Sequence, residues 1–466
     1  MIELVSKEAD LTHGNLLKKI IFFAIPVMLS GILQLLFNAC DLIVVGNFSG
    51  DDSLAAVGST GALTSLIINL FIGFSVGANV AVARAIGKRD KKRCHDVVHT
   101  SLLFSLIIGI FLTIFGVLTA RFWLIQMDTN AEILDKATTY LTIYFAGMVF
   151  NMIYNFGASI VRATGETKRP LYYLIIAGII NVLLNLFFVI VLGMDVEGVA
   201  LATIASQMIS AILIISYLMR VEGMVHFNIK DLKIDKSSLG EIILIGLPAG
   251  IQSSLFAISN VTIQTAVNSF NSTAVVAGNS ASNNIGGFIY TSMNAFYQAC
   301  ITFTGQNLGA RKVENCKKVL LHSLLCVTIV GIVIGGVCVL FGRPLIDLYA
   351  NGEEAIGYGI RRLRIVGLSY FLCGIGDVLV GGLRGLGYSS VPMISSIIGV
   401  CGIRLAWVYT IFEHYHTLEV LYTSYPVSWG VTAIVHMICY IFVYKNVKKR
   451  VEIVKEIAMD EQLVLA

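Results

Sequence analysis

The feature that most constrains this chain is a succession of apolar runs, each long enough to cross a bilayer as a helix. They lie near 20–46, 54–83, 98–120, 136–162, 170–193 and 196–219, and again near 239–270, 274–306, 319–342, 357–383, 390–412 and 427–444. About 20 apolar residues span the hydrocarbon core, and a helix satisfies its own backbone groups there. Composition agrees: 56% of the 466 residues are apolar and only 13% are charged, about half the charge of an ordinary soluble domain. The longest clearly polar stretch, 220–238, is too short to fold alone. A cytosolic enzyme, a secreted disulfide scaffold and a nucleic-acid binder are excluded. No short leader with a small-residue cleavage site is read at the start, so the first run is expected to be a retained span.

The basic residues give an orientation, because Lys and Arg concentrate on the cytoplasmic side of short loops. With a cytoplasmic N-terminus, 26 of the 33 Lys and Arg fall on inside segments. The exceptions are Arg121, Lys136, Arg343, Arg361, Arg362, Arg364 and Arg404. Twelve spans return the C-terminus to the cytoplasm, and a multi-pass protein of the cell membrane with both termini inside is expected. The nine cysteines lie mostly inside apolar runs without a CxxC pair, as small packing residues do.

A shift of 222 residues superposes the chain on itself. It carries Pro26 onto Pro248, Asn38 onto Asn260, Gly87 onto Gly309, Gly109 onto Gly331, Arg162 onto Arg384, Gly165 onto Gly387 and Pro170 onto Pro392. Each copy holds six spans, an even number, so both enter the membrane from the same side. The expected fold is all-α and membrane-integral: twelve transmembrane helices in two parallel-repeat six-helix bundles around a central cavity. The predicted divisions are an N-lobe over 1–219, a linker over 220–238, a C-lobe over 239–450 and a tail over 451–466. This is the architecture of a transporter rather than of an enzyme, since no clustered Ser/His or His/Asp/Glu catalytic set is found.

Polar residues within spans are costly and need a reason. Gln34, Asn38 and Asp41 are spaced to share one face of span 1. Asn181 and Asn185 share a face of span 5, Thr203 lies on span 6, and Asn151 and Asn155 lie deeper on span 4. One carboxylate among amides and a hydroxyl is expected to take up a proton or to hold sodium, a hard cation that prefers oxygen ligands. No metal beyond a possible Na⁺ at Asp41 is expected. Further polar positions are Asn260 and Gln264 on span 7 and Asp377 on span 10, the last expected to pair with Arg404. Tyr144, Met148, Met152 and Tyr154 on span 4 could line a substrate cavity or pack the helix. The glycine-rich 382–387 run reads as a tight helix connection, and Glu413, His414 and His416 as a solvated loop.

The stretch Ala24-Ile25-Pro26 through Asp41-Leu42-Ile43-Val44-Val45-Gly46 resembles the first span of the MATE (multidrug and toxic compound extrusion) transporters. So do Leu54-Ala55-Ala56-Val57-Gly58, the Val161–Thr167 turn and Leu383-Arg384-Gly385-Leu386-Gly387. The resemblance implies a secondary active antiporter that exports amphipathic, often cationic, compounds in exchange for H⁺ or Na⁺. It is greatest to the DinF-like branch, where an aspartate at the position of Asp41 couples transport to the ion. That branch carries an acid where this chain has Asn185, with a threonine at Thr203. The implied coupling set is Asp41, Asn181, Asn185, Thr203 and Asn155. Candidate cavity residues are Gln34, Asn38, Tyr144, Met148, Asn260, Gln264 and Asp377. No organic cofactor and no nucleic-acid partner are expected, and the protein is expected to act as a monomer in the bilayer. A flippase for lipid-linked saccharides is the alternative.

Overall fold

The computed structural model describes residues 10–350 and 352–465. Among them, ten helices are long and apolar enough to cross a membrane. In order these are Leu16–Phe48, Asp51–Lys88, Lys91–Gln126, Lys168–Val191, Val196–Arg220, Lys236–Asn268, Val313–Leu340, Glu353–Gly385, Ser390–Tyr415 and Leu418–Val454. An eleventh span is made by Ala131–Ala146 and Met148–Ala163, bent by 48° at Gly147. The twelfth, Thr273–Gly309, is long enough but rich in Asn, Ser and Thr. Most of its second half is buried, and a span covered by protein need not be apolar. The chain is thus a multi-pass, all-helical membrane protein of twelve spans. They are numbered here in chain order, the bent pair being span 4 and Thr273–Gly309 span 8.

The sequence dictates where helices begin. Asp90 caps span 3 by accepting from the Arg93 N–H at 2.9 Å, Asn130 caps span 4 by accepting from Glu132, and Ser272 caps span 8 by accepting from Val275. Faces turned away from the protein are apolar at helical spacing: Phe111, Ile114, Leu118, Phe122 and Ile125 on span 3, and Leu325, Ile329, Ile332 and Leu340 on span 9 are all exposed. Such stripes suit contact with lipid chains.

The chain packs as two compact units. The first, here the N-unit, contains Leu29–Val82 and Asp90–Ala257; the second, the C-unit, contains Asp10–Met28, Ala83–Arg89 and the chain from Ile258 onward. Spans 1, 2 and 7 each pass from one unit to the other within a single helix. Inside the N-unit, span 3 packs on both halves of span 4, and span 6 packs on spans 4 and 5. Inside the C-unit, span 9 packs on span 10, span 8 on both, and span 12 on spans 10 and 11. The 220–238 linker is held to span 3 within the N-unit. Arg93 bridges Asp235 at 3.1 Å and Glu241 at 3.0 Å, and Lys233 meets Asp96 at 3.0 Å.

Local backbone features obey the 222-residue shift. Gly165 and Gly387, at φ +89° and +90°, take the left-handed conformation at the ends of spans 4 and 10, which glycine adopts without strain. The non-glycine mates Arg89 and Arg311 do the same at φ +56° and +58°. Within the C-unit the ends of spans 2 and 8 touch through backbone. A Cβ on Gly87 would lie 2.0 Å from the Gln306 oxygen, and one on its mate Gly309 would lie 2.2 Å from the Arg84 oxygen. Wide π turns also recur, at Phe187–Val191 in span 5 and Val408–Phe412 in span 11.

Candidate cation site and cavity of the N-unit

Asp41 lies two turns before the end of span 1, partly buried. The Asn185 amide nitrogen donates to its Oδ1 at 2.5 Å and also reaches Asn181 Oδ1 at 3.4 Å. The Thr203 hydroxyl lies beside Asp41 and donates to the Val199 carbonyl at 3.0 Å. Asn185 is wholly buried and Asn181 nearly so. The π turn begins two residues after Asn185; such wide turns often mark functional positions in helices. One turn beyond Asp41, Val44 and Val45 join Val57, Tyr140, Val189, Val196, Val199 and Ala200 in an apolar cluster. It separates the carboxylate from that end of the helices.

One atom of this set is left over. Asn185 Oδ1 is buried and has no hydrogen-bond partner. An unsatisfied buried acceptor is costly, on the order of 1–3 kcal/mol. Here it sits in the same small group as a carboxylate. Asp41, Asn181, Asn185 and Thr203 together offer only hard oxygen donors to an incoming cation, which fits H⁺ and Na⁺ alike.

The site opens on a cavity of about 350 Å³ lined by residues of spans 1, 2, 4, 5 and 6. Gln34, Asn38, Asp41, Tyr144, Asn151, Asn155, Asn181 and Thr203 all line it. Asn155 donates to Asn151 Oδ1 at 3.0 Å rather than to Asp41. Met148 does not line the cavity. It is fully buried, as is Met152, because the 48° bend gives the two flanks of span 4 different neighbours. Tyr144 and Tyr154 face the cavity from the same span.

Asn260, Gln264 and Asp377 belong to the C-unit and do not line this cavity. Asn260 accepts from Arg404 Nη1 at 3.4 Å, while Gln264 donates to Asn268 and accepts from Asn279, each at 3.0 Å. The expected Asp377–Arg404 pair does not form. Asp377 instead feels the charge of Arg384 and lies beside Tyr290. Arg404, 4% exposed, instead donates to Ser428 at 3.2 Å and lies 4.2 Å from the Tyr425 ring centre and 5.5 Å from that of Trp429. Aromatic faces and neutral oxygens take the place of the carboxylate. Arg362, 2% exposed, is held in the same way, donating to Ser282 and Asn283 and lying 5.7 Å from Tyr425.

Sequence reasoning missed two faces of the cavity. Ser206, Gln207 and Ser210 follow Thr203 at three, four and seven residues, a helical spacing that would have found them. Thr64, Ser65 and Asn69 with Ile68 and Ile72 form the corresponding face of span 2. It also missed a trio, His95, His99 and Asp231, whose ligand atoms lie within 4.8 Å. Both ring nitrogens of His99 are engaged there. Nδ1 donates to the His95 carbonyl at 2.8 Å, and Nε2 accepts from the Asn228 N–H at 3.1 Å. The trio therefore fastens the linker to span 3. Glu413, His414 and His416 are exposed, and the 382–387 run ends span 10 in a turn closed by Gly387 donating to Arg384 at 2.8 Å.

Comparison with known proteins shows the family. The profile described as MatE matches twice, over residues 26–187 and 248–410, with starts 222 residues apart. The chain is 27% identical to the probable multidrug resistance protein YoeA of Bacillus subtilis, over 91% of this chain and 93% of that one. It is 26% identical to the probable multidrug resistance protein NorM of Thermotoga maritima, over 85% and 86%. Among solved structures it resembles an outward-facing multidrug resistance MATE family transporter of the MOP superfamily, with a TM-score of 0.89, 26% identity and coverage of 96% and 99%. The chain belongs to the MatE family, whose members are membrane transporters and not enzymes.

Proposed function

We propose that this protein is a secondary active antiporter of the plasma membrane, with both termini cytoplasmic, working as a monomer without an organic cofactor. It exports amphipathic, often cationic, organic compounds in exchange for H⁺ or Na⁺, and Asp41 is the coupling carboxylate. The observation that carries this reading is the pairing of Asp41 with Asn185, whose buried oxygen lacks a donor inside the protein. A proton on the carboxyl group supplies that donor; a sodium ion supplies a positive charge to the same oxygens.

The cavity has an aromatic and amide lining, with Phe37, Tyr144 and Tyr154 beside Gln34, Asn38 and Asn151. An organic cation is drawn to ionised Asp41 and rests against the rings. Cation uptake cancels that attraction, so coupling ion and drug compete for one charge. Exchange needs this difference, because a ligand that binds both states equally shifts neither. Multidrug-resistance relatives support export over the flipping of lipid-linked saccharides. So does the cavity wall, which includes no Lys or Arg among the described residues.

The test is efflux of a cationic dye from proteoliposomes with a sodium gradient and a pH gradient imposed separately. One gradient alone should drive efflux, and Asp41→Asn should reduce it to the level of empty liposomes. Undiminished efflux by a well-folded Asp41→Asn protein would remove Asp41 from the mechanism.

A further inference from the structure

Far along the chain from Asp41, the ends of several C-unit helices enclose a second hollow, of about 280 Å³. Arg84 and Lys88 reach it from the end of span 2, Leu308 and Gly309 from the end of span 8, Leu386 and Tyr388 from the turn after span 10, and Val447, Arg450 and Val451 from span 12. Three cations and a phenol converge, with no carboxylate among the described residues of the wall. Arg84 is set in place: Nη2 donates to the Gly385 carbonyl at 3.2 Å. It also lies over Gly387, where a Cβ would come within 2.2 Å of that nitrogen. Lys88 and Arg450 are exposed, and no described carboxylate pairs with either.

Like charges gathered in one hollow repel each other, so an anion bound there is stabilised by all three. The remaining wall is aliphatic: Leu308, Leu386, Val447 and Val451. The hollow also lies where spans 2, 8 and 10 end, and the ends of spanning helices fall at the headgroup region of a bilayer. The loops at this end carry the basic bias expected of a cytoplasmic face, the face that meets anionic lipids. A cationic rim above aliphatic side chains at that depth matches a phosphodiester with acyl chains below it. We propose that this hollow is a phosphate site, filled by the headgroup of an anionic phospholipid from the adjoining leaflet. Free phosphate shares the chemistry but has no use for the aliphatic wall.

The experiment measures retention and thermal stabilisation of the purified full-length protein by phosphatidylglycerol, phosphatidylcholine and inorganic phosphate, each added separately to detergent-solubilised protein. The same set is run on Lys88→Gln/Arg450→Gln, with Asp41→Asn as a control that keeps this hollow intact. Phosphatidylglycerol should be retained over phosphatidylcholine, with retention falling on the order of 30-fold when the two cations are removed. Stabilisation by millimolar phosphate without preference between the lipids, lost in the double variant, supports the phosphate site while assigning it to a soluble ligand. Equal retention by wild type and double variant overturns the proposal. If the double variant folds poorly, Tyr388→Phe with Lys88→Gln is the second probe, and unchanged retention there has the same meaning.

Discussion

The two repeats share a frame but not a charge. In the N-unit, one carboxylate stands among amides and hydroxyls beside a polar cavity. In the C-unit, Arg362, Arg384 and Arg404 are buried at 2–4% exposure; Asp377 acts on Arg384, while Arg362 and Arg404 rest against neutral oxygens and aromatic rings. The backbone features that mate across the 222-residue shift are the left-handed turns, the close glycine contacts and one wide helical turn, set by sterics and hydrogen bonding alone. Buried charge is free to diverge on that frame, provided each unit solves its own desolvation problem. The N-unit does so with amides and hydroxyls, to which the proposed function adds an exchangeable cation. The C-unit does so with fixed aromatic rings and neutral oxygens, which no ion need ever enter.

The largest effect that separates the units is functional. Asp41→Asn should abolish gradient-driven efflux while Asp377→Asn leaves a saturable, gradient-dependent signal; equal loss in both would erase the distinction. Next in size, Arg404→Ala should destabilise the protein by about 2–4 kcal/mol. It removes cation–π contacts and leaves Asn260 and Ser428 without their donor, and thermal unfolding with and without the substitution reads this directly. Asn185→Leu removes a hydrogen bond to a charged group, worth about 1.5–3 kcal/mol. Apparent affinity for the coupling ion should therefore change about tenfold or more, and ion titration of efflux measures it.

Gly87→Ala probes the shared frame rather than either charge. The added methyl meets backbone at 2.0 Å, so a loss of about 1–3 kcal/mol is expected from overpacking, visible as a lower thermal midpoint with coupling-ion selectivity unchanged. The smallest effect concerns Asp195, in the turn between spans 5 and 6, whose Oδ2 lies 2.8 Å from Lys136. Burial pushes its carboxyl up, but the Lys136 ammonium and neighbouring hydroxyls outweigh it and hold it below the ordinary carboxylate range. Its contribution is present above that ordinary value, near pH 4, and is lost as pH falls through the lowered one. Both groups are about one-third exposed, so Asp195→Asn should cost under about 1 kcal/mol. A pH series of thermal midpoints for the two proteins should converge on the acid side.

Most of the frame was legible because hydropathy and a constant shift are linear properties of sequence. All twelve spans read as apolar runs; in the structure eleven are apolar enough along the helix once the bent pair is joined, and span 8, rich in amides, falls short. Asp41, Asn185 and Thr203 were legible as a group because helical spacing and depth brought them to one level. What was not legible depends on which flank of a helix faces which neighbour. Met148 and Tyr144 are four residues apart on span 4, yet the bend at Gly147 buries one and turns the other to the cavity. Likewise, opposite charge suggested Arg404 for Asp377. Tyr425 and Trp429 on span 12 offered the guanidinium a closer home, and nothing in linear order signals a stack between helices.

The left-handed arginines carry a historical consequence. Holding a non-glycine residue in that conformation costs roughly 1–2 kcal/mol, yet Arg89 and Arg311 both accept it at matching positions. The simplest origin is one awkward hinge, already present in an ancestral gene half this length and copied whole when that gene doubled. An even count of crossings meant the second copy threaded the bilayer in the same sense as the first, so the fusion required no inversion. From then on each half was free to acquire its own chemistry.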